Sequence, residues 1–191
     1  MRKAMETEPK QTLAALFARA EDYALFAMRK FGSLAPIMFT NTPQGDLWFT
    51  PANLPDVQSK DKFTNIARLI CTAYDATAMV LAMEAWMKTA KPGESLGNAE
   101  LPSEALDRQE VVIMMGEGKG GISMQRFLPI IRHDNGKFFG FGETNAPEAM
   151  TFSGRFSNIL PPKSPNQEMK KFAKAMLGAM NLTEGRLKHR H

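Results

Sequence analysis

Four carboxylates, Glu84, Glu104, Asp107 and Glu110, fall around Trp86 and Arg108 in the sequence. Acids gathered beside an aromatic ring can line a polar pocket, so these six residues form the first candidate binding group. The plainer reading pairs Arg108 with a neighbouring acid and lets Glu84 mark the place where a strand leaves the core. Glu84 interrupts the apolar stretch Met79 to Met87, and a charge there requires a partner or exposure.

A second candidate is Gly116-Glu117-Gly118-Lys119-Gly120-Gly121, which satisfies G-x-G-x-x-G. In dinucleotide sites such glycines let backbone amides reach a pyrophosphate at a helix N-terminus. Here the following residues, Ile122 to Arg132, contain Pro129 and β-branched side chains and read as a strand, so the motif is expected to be a hairpin turn. A kinase-type glycine loop would need a downstream lysine strand and catalytic loop that this sequence lacks. The same residues also have the carboxylate-x-lysine form of metal-dependent nucleases, with Glu117 and Lys119 as the pair. That chemistry needs another acid on an adjoining strand, for which Glu84 and Asp107 are the candidates.

Other chemistries have less to stand on. Cys71 is the single cysteine and sits in an apolar helical pattern, so no internal disulfide is available and a buried, inert thiol is expected. His133, His189 and His191 show no zinc-like spacing, and no G-x-S-x-G elbow is present. No cofactor or metal is expected.

The net charge of +4 invites a nucleic-acid reading, with Lys170, Lys171, Lys174, Arg186, Lys188 and Arg190 as phosphate contacts. From Lys163 onward seven basic residues face two acidic ones, which leaves the rest of the chain slightly acidic. The basicity therefore belongs to the last helix and tail, where a solvated helix face explains it equally well.

The elements that must position these residues follow from period and punctuation. Leu13, Leu16, Phe17, Ala20, Ala24, Ala27 and Phe31 recur at helical spacing before Gly32. Pro36 to Thr40 and Leu47 to Thr50 form an expected hairpin, and Ser59 to Tyr74 a second amphipathic helix capped by Ser59 or Asp61. Ala76 to Met87 suits a helix by alanine and methionine content and a two-sided buried strand by its continuous apolarity; the strand is preferred because one helix from Ser59 to Ala90 would be unusually long. The connector Lys91 to Asp107 is polar and loop-like. Glu110 to Met115, Ile122 to Arg132 and Lys137 to Phe141 then form a meander, with Asn135-Gly136 as its hairpin signal. Glu143 to Pro162 is expected to strap across the core. The last helix opens at Ser164-Pro165-Asn166-Gln167, buries Met169, Phe172, Ala173, Met176, Leu177 and Met180, and ends before a frayed basic tail.

These elements predict an α+β chain, a mostly antiparallel sheet with helices packed on one side, forming a single domain over residues 1–185 with a basic tail at 186–191. At 191 residues a working core needs no disulfide or metal. No apolar run approaches the roughly 18 residues of a spanning helix, and the start lacks a secretory apolar core, so no membrane role and a cytoplasmic setting are expected.

Glu84-Ala85-Trp86-Met87, Pro102-Ser103-Glu104 and Asp107-Arg108-Gln109-Glu110-Val111-Val112 resemble a pattern in bacterial and phage- or plasmid-borne proteins. The resemblance covers about the central third of the chain, implies a bacterial cytosolic setting and brings no activity with it. The function expected from the sequence is therefore a non-enzymatic accessory or binding protein that acts through a protein partner or as a homo-oligomer. Nucleic-acid binding and metal-dependent phosphodiester cleavage are the alternatives.

Overall fold

The computed structural model describes residues 9–51, 54–88, 104–106, 108–144, 148–149, 154–182 and 188–190. Helix α1 spans Pro9–Phe31, strands β1 Ile37–Thr42 and β2 Gly45–Phe49, helix α2 Val57–Ala73, and strand β3 Ala78–Met87. Strands β4 Gln109–Gly118, β5 Ile122–Arg132, β6 Phe138–Phe141 and β7 Glu148–Ala149 follow, then helix α3 Gln167–Ala179 and strand β8 Lys188–Arg190. The sheet runs β6-β5-β4-β3-β1-β2-β8, with β7 beside β5, and every described pairing is antiparallel.

The chain is thus α+β with an antiparallel sheet. Its centre is β3, which alternates between two cores as period-two geometry requires. Ala78, Val80 and Ala82 meet Leu13, Phe17, Ala20 and Ala24 of α1. Met79 and Leu81 meet Phe63, Ala67 and Ile70 of α2, together with Ala173 and Leu177 of α3. Helices α2 and α3 therefore share one side of the sheet, while α1 lies along the other. The alanines of β3 let α1 approach closely, and Gly116 of β4 extends that bed: a Cβ built there would lie 2.4 Å from Phe17 and 2.9 Å from Leu13.

Local chemistry sets the boundaries. Gly32, at φ 75°, closes α1 with its N–H on the Met28 carbonyl at 2.9 Å. Asp56, rather than Ser59 or Asp61, caps α2: its side chain takes the Ser59 N–H at 2.7 Å while the Ser59 hydroxyl accepts the Asp56 N–H at 3.1 Å. Asn166 caps α3 through the Met169 N–H at 2.8 Å, two residues later than Ser164. The preference for a strand at Ala76 to Met87 holds, since Ala78–Met87 pairs with β1 and along its whole length with β4. The glycine motif is shorter as a turn than expected, because β4 continues through Gly118. The expected frayed tail contributes β8, which pairs with β2. No described helix is long and apolar enough to cross a membrane.

Candidate functional sites

Part of the first candidate group converges. Cross-strand register sets Trp86 opposite Glu110 and Glu84 opposite Val112, all on the α1 face. The Arg108 guanidinium lies 4.4 Å from the Trp86 ring centroid. Glu84 accepts the backbone N–H of Leu34, just beyond α1. Glu110 is gripped by Arg132 through two bonds, 2.7 Å from Nε and 2.6 Å from Nη2, the fork geometry that guanidinium and carboxylate share. A third Arg132 donor reaches the Gly32 carbonyl at 3.2 Å.

The group therefore fastens the C-terminal end of α1 to the sheet. Burial raises the proton affinity of Glu84, the neighbouring Glu110 charge adds to this, and the Leu34 amide and Arg132 oppose it. Arg132, whose own proton is held more tightly by Glu110, was not among the sequence candidates. Its signal was available, since it ends β5, antiparallel to β4, which opens with Gln109 and Glu110. Glu104 is exposed. Asp107 lies outside the described residues.

Glu117 faces the other core. Its cross-strand neighbours are Met79 and Ser123, neither of which is an acid, and Glu84 stands five positions further along β3 on the opposite face. At about 3.4 Å per residue that is roughly 17 Å away. Glu117 and Glu84 therefore do not meet, and among the described residues no group of three or more acids, histidines or cysteines is placed to hold a metal ion.

The Glu117 carboxylate instead takes the Leu160 N–H at 2.7 Å, with the Asn158 and Ile159 amides also turned toward it. Arg68 of α2 holds the other polarity of the same segment, donating to the Ser157 and Asn158 carbonyls, each at 3.1 Å. Residues 157–160 are thereby clasped through both their amides and their carbonyls. Burial raises the Glu117 proton affinity, and the three amides and Arg68 partly offset it. A cleft of about 550 Å³ opens beside this clasp, lined by Arg68, Lys119, Gly120, Ser123 and Pro161 among others. Ile122 opens a strand there, as the sequence predicts. Cys71 is fully buried, and burial together with the Glu117 charge pushes its thiol up, out of nucleophilic range.

The basic residues of α3 are divided. Lys170 and Lys119 share Asp75, at 3.0 Å and 3.1 Å, and Lys119 also reaches the Ser164 hydroxyl at 2.9 Å. Burial works against the Asp75 charge, but the two lysines outweigh it and hold its carboxyl below the usual range. Lys174 lies 5.4 Å from the Tyr74 ring, and Lys171 is exposed. Arg186 lies outside the described residues; of Lys188 and Arg190 only the backbone pairing with β2 is described.

One expectation about α3 is corrected. Ala173 and Leu177 are buried against α2, but Met169, Phe172, Met176 and Met180 are 49%, 66%, 37% and 38% exposed. Six apolar residues spread over roughly 140° of circumference at about 100° per residue, and α2 covers only one side of that arc. Periodicity alone could not show which half would be covered. The sequence reading also missed an aromatic groove on the α1 face, because Tyr23, Phe39 and Trp48 come from separate elements. Comparison with protein-family models, with curated proteins and with solved structures finds no match to this chain.

Proposed function

We propose that this protein is a non-enzymatic binding protein whose α3 helix is the contact element, and that the contact it makes is with a second copy of itself. The observation that carries the reading is the exposed stripe of Met169, Phe172, Met176 and Met180 beside the buried Ala173 and Leu177. A contiguous apolar helix face left in water is the usual mark of an association surface.

The pattern favours self-pairing. Met169, Phe172, Met176 and Ala179 repeat at three- and four-residue steps, the seam spacing of paired helices. A two-fold axis running antiparallel helices past each other near Ala175 and Met176 would set Phe172 against Ala179 and Met176 against Ala175. Phe172 and Met176 then each meet an alanine, a self-complementary fit of the kind an isologous contact uses. Thirteen residues make a seam of about 20 Å, short enough that association should be reversible and concentration-dependent.

Sedimentation equilibrium tests this over a wide range of protein concentration. The native chain should dimerise, Met176→Glu should be monomeric, and Ala179→Phe should weaken the dimer by removing the space opposite Phe172. Ala175→Cys should form an intermolecular disulfide near the axis, with the buried Cys71 giving no background. A native chain that stays monomeric at millimolar concentration, or a dimer indifferent to Met176→Glu, would remove the reading.

A further inference from the structure

Sulfur is distributed unevenly over this fold. Met28, Met38, Met79 and Met114 are buried in the two cores, and Met83 and Met87 are partly covered on β3. Among the described residues the exposed methionines are Met169, Met176 and Met180, and all three belong to the apolar stripe that runs along α3 to its C-terminal cap. The single thiol, Cys71, is fully buried, and burial together with the Glu117 charge tightens its hold on its proton, so the thiolate that an oxidant attacks does not form. The sulfur that an oxidant in water can reach, among the described residues, is thus gathered on one helix face.

A thioether reacts without ionising first. Its sulfur lone pair attacks one oxygen of a hydroperoxide and the O–O bond breaks. The proton on the transferred oxygen passes to the departing one, which leaves as an alcohol or, from hydrogen peroxide, as water. Sulfur is oxidised and the peroxide reduced. A flexible apolar side chain becomes a polar one with a strong S=O acceptor.

We infer that Met169, Met176 and Met180 form a site of sulfoxidation by hydroperoxides, and that the modification releases the α3 contact. The inference rests on the self-association proposed above. In that pairing Met176 faces Ala175 near the axis, where a sulfoxide oxygen loses its water and meets a methyl group that cannot donate to it. The two-fold axis repeats the change, so two oxidised protomers bring two such oxygens into a short seam. Because the contact is reversible, the sulfurs are open to the oxidant in the dissociated chain, and oxidation holds the chain there. Sulfoxide reductases restore the thioether, so the change can be undone.

The test treats the full chain with hydrogen peroxide at a protein concentration low enough to keep it monomeric, and quenches with free methionine. Peptide mass spectrometry should show Met169, Met176 and Met180 gaining oxygen at least about tenfold faster than Met28, Met38, Met79 and Met114, with circular dichroism unchanged. In sedimentation equilibrium the oxidised chain should dimerise at least about tenfold more weakly. A chain carrying Met169→Leu, Met176→Leu and Met180→Leu keeps the apolar stripe without its sulfur; it should dimerise and ignore the same treatment, which separates α3 from every other methionine. Comparable oxidation of the buried methionines, undiminished pairing once α3 is oxidised, or equal sensitivity in the leucine variant would each overturn the proposal. A native chain that is monomeric before peroxide is added overturns both readings, whereas a dimer indifferent to oxidation removes this one alone.

Discussion

The carboxylate of Glu117 accepts the backbone N–H of Leu160 at 2.7 Å across 43 residues of sequence. With Arg68 on the carbonyls of Ser157 and Asn158, it pins an irregular segment to the sheet and to α2. Glu117→Ala would strand several buried amides at once, so it should cost about 2–4 kcal/mol, more than an exposed acid ever contributes. Chemical denaturation measures the loss. Amide exchange should show that residues 157–160 lose protection first, and a uniform loss across the sheet would contradict the clasp.

Protonation should stabilise the fold over a defined range. Burial holds the carboxyls of Glu84 and Glu117 above their ordinary value of 4.5, so above that pH the folded chain binds more protons than the unfolded one. Their contribution is full below about 4.5 and is lost as pH rises through the raised values. Asp75 acts in the opposite sense: its contribution is present above 3.8 and is lost as pH falls through its lowered value. Denaturation midpoints measured from pH ~4 to ~8 should therefore fall with rising pH, and Glu117→Gln should flatten that slope. An unchanged slope in the variant would assign the effect elsewhere.

Close packing at Gly116 leaves no room for a methyl group. Because Phe17 and Leu13 are buried and cannot withdraw, Gly116→Ala should destabilise by about 1–3 kcal/mol. Phe17→Leu in the same chain should recover part of that loss. Thermal unfolding of the two single variants and the double variant reads the coupling, and strictly additive losses would show that the contact is not the cause.

The fork between Arg132 and Glu110 should be worth more than a simple surface pair. Both side chains are about three-quarters buried, at 27% and 20% exposure, and Arg132 also holds the end of α1 through Gly32. A double-mutant cycle should give a coupling of about 1 kcal/mol. Arg132→Lys should lose most of it, since an ammonium cannot reproduce two parallel bonds. Full retention in the lysine variant would reduce the interaction to bare charge.

Much of the architecture was legible because single elements carried their own signals. The α1 face was visible in its three- and four-residue steps, and the meander in Asn135-Gly136 and the β-branched residues around it. Ala78–Met87 was decided by apolarity on both faces, which two separate cores then explain. Caps were misplaced by a few residues, because Asp56, Ser59 and Asp61 are all competent and only chain direction selects among them. The site was less legible. Glu84, Trp86, Arg108 and Glu110 were grouped by proximity in sequence, yet Arg132, 22 residues from Glu110, completes the arrangement. Likewise, Glu117 looked like a metal ligand until the amides of 158–160, far away in sequence, occupied it. The half-covered face of α3 depended on where α2 lies, which local periodicity does not encode.

Strand β3 separates small residues on one side from large ones on the other, with Ala78, Val80 and Ala82 under α1 and Met79 and Leu81 under α2. A single residue inserted within Ala78–Ala82 would turn every later side chain over, driving methionine and leucine into the shallow bed beneath α1 and leaving alanines to fill the deeper space beneath α2. Both interiors would fail together, one overfilled and the other hollow. The middle of this strand should therefore accept conservative exchanges of side chain far more readily than any change in its length.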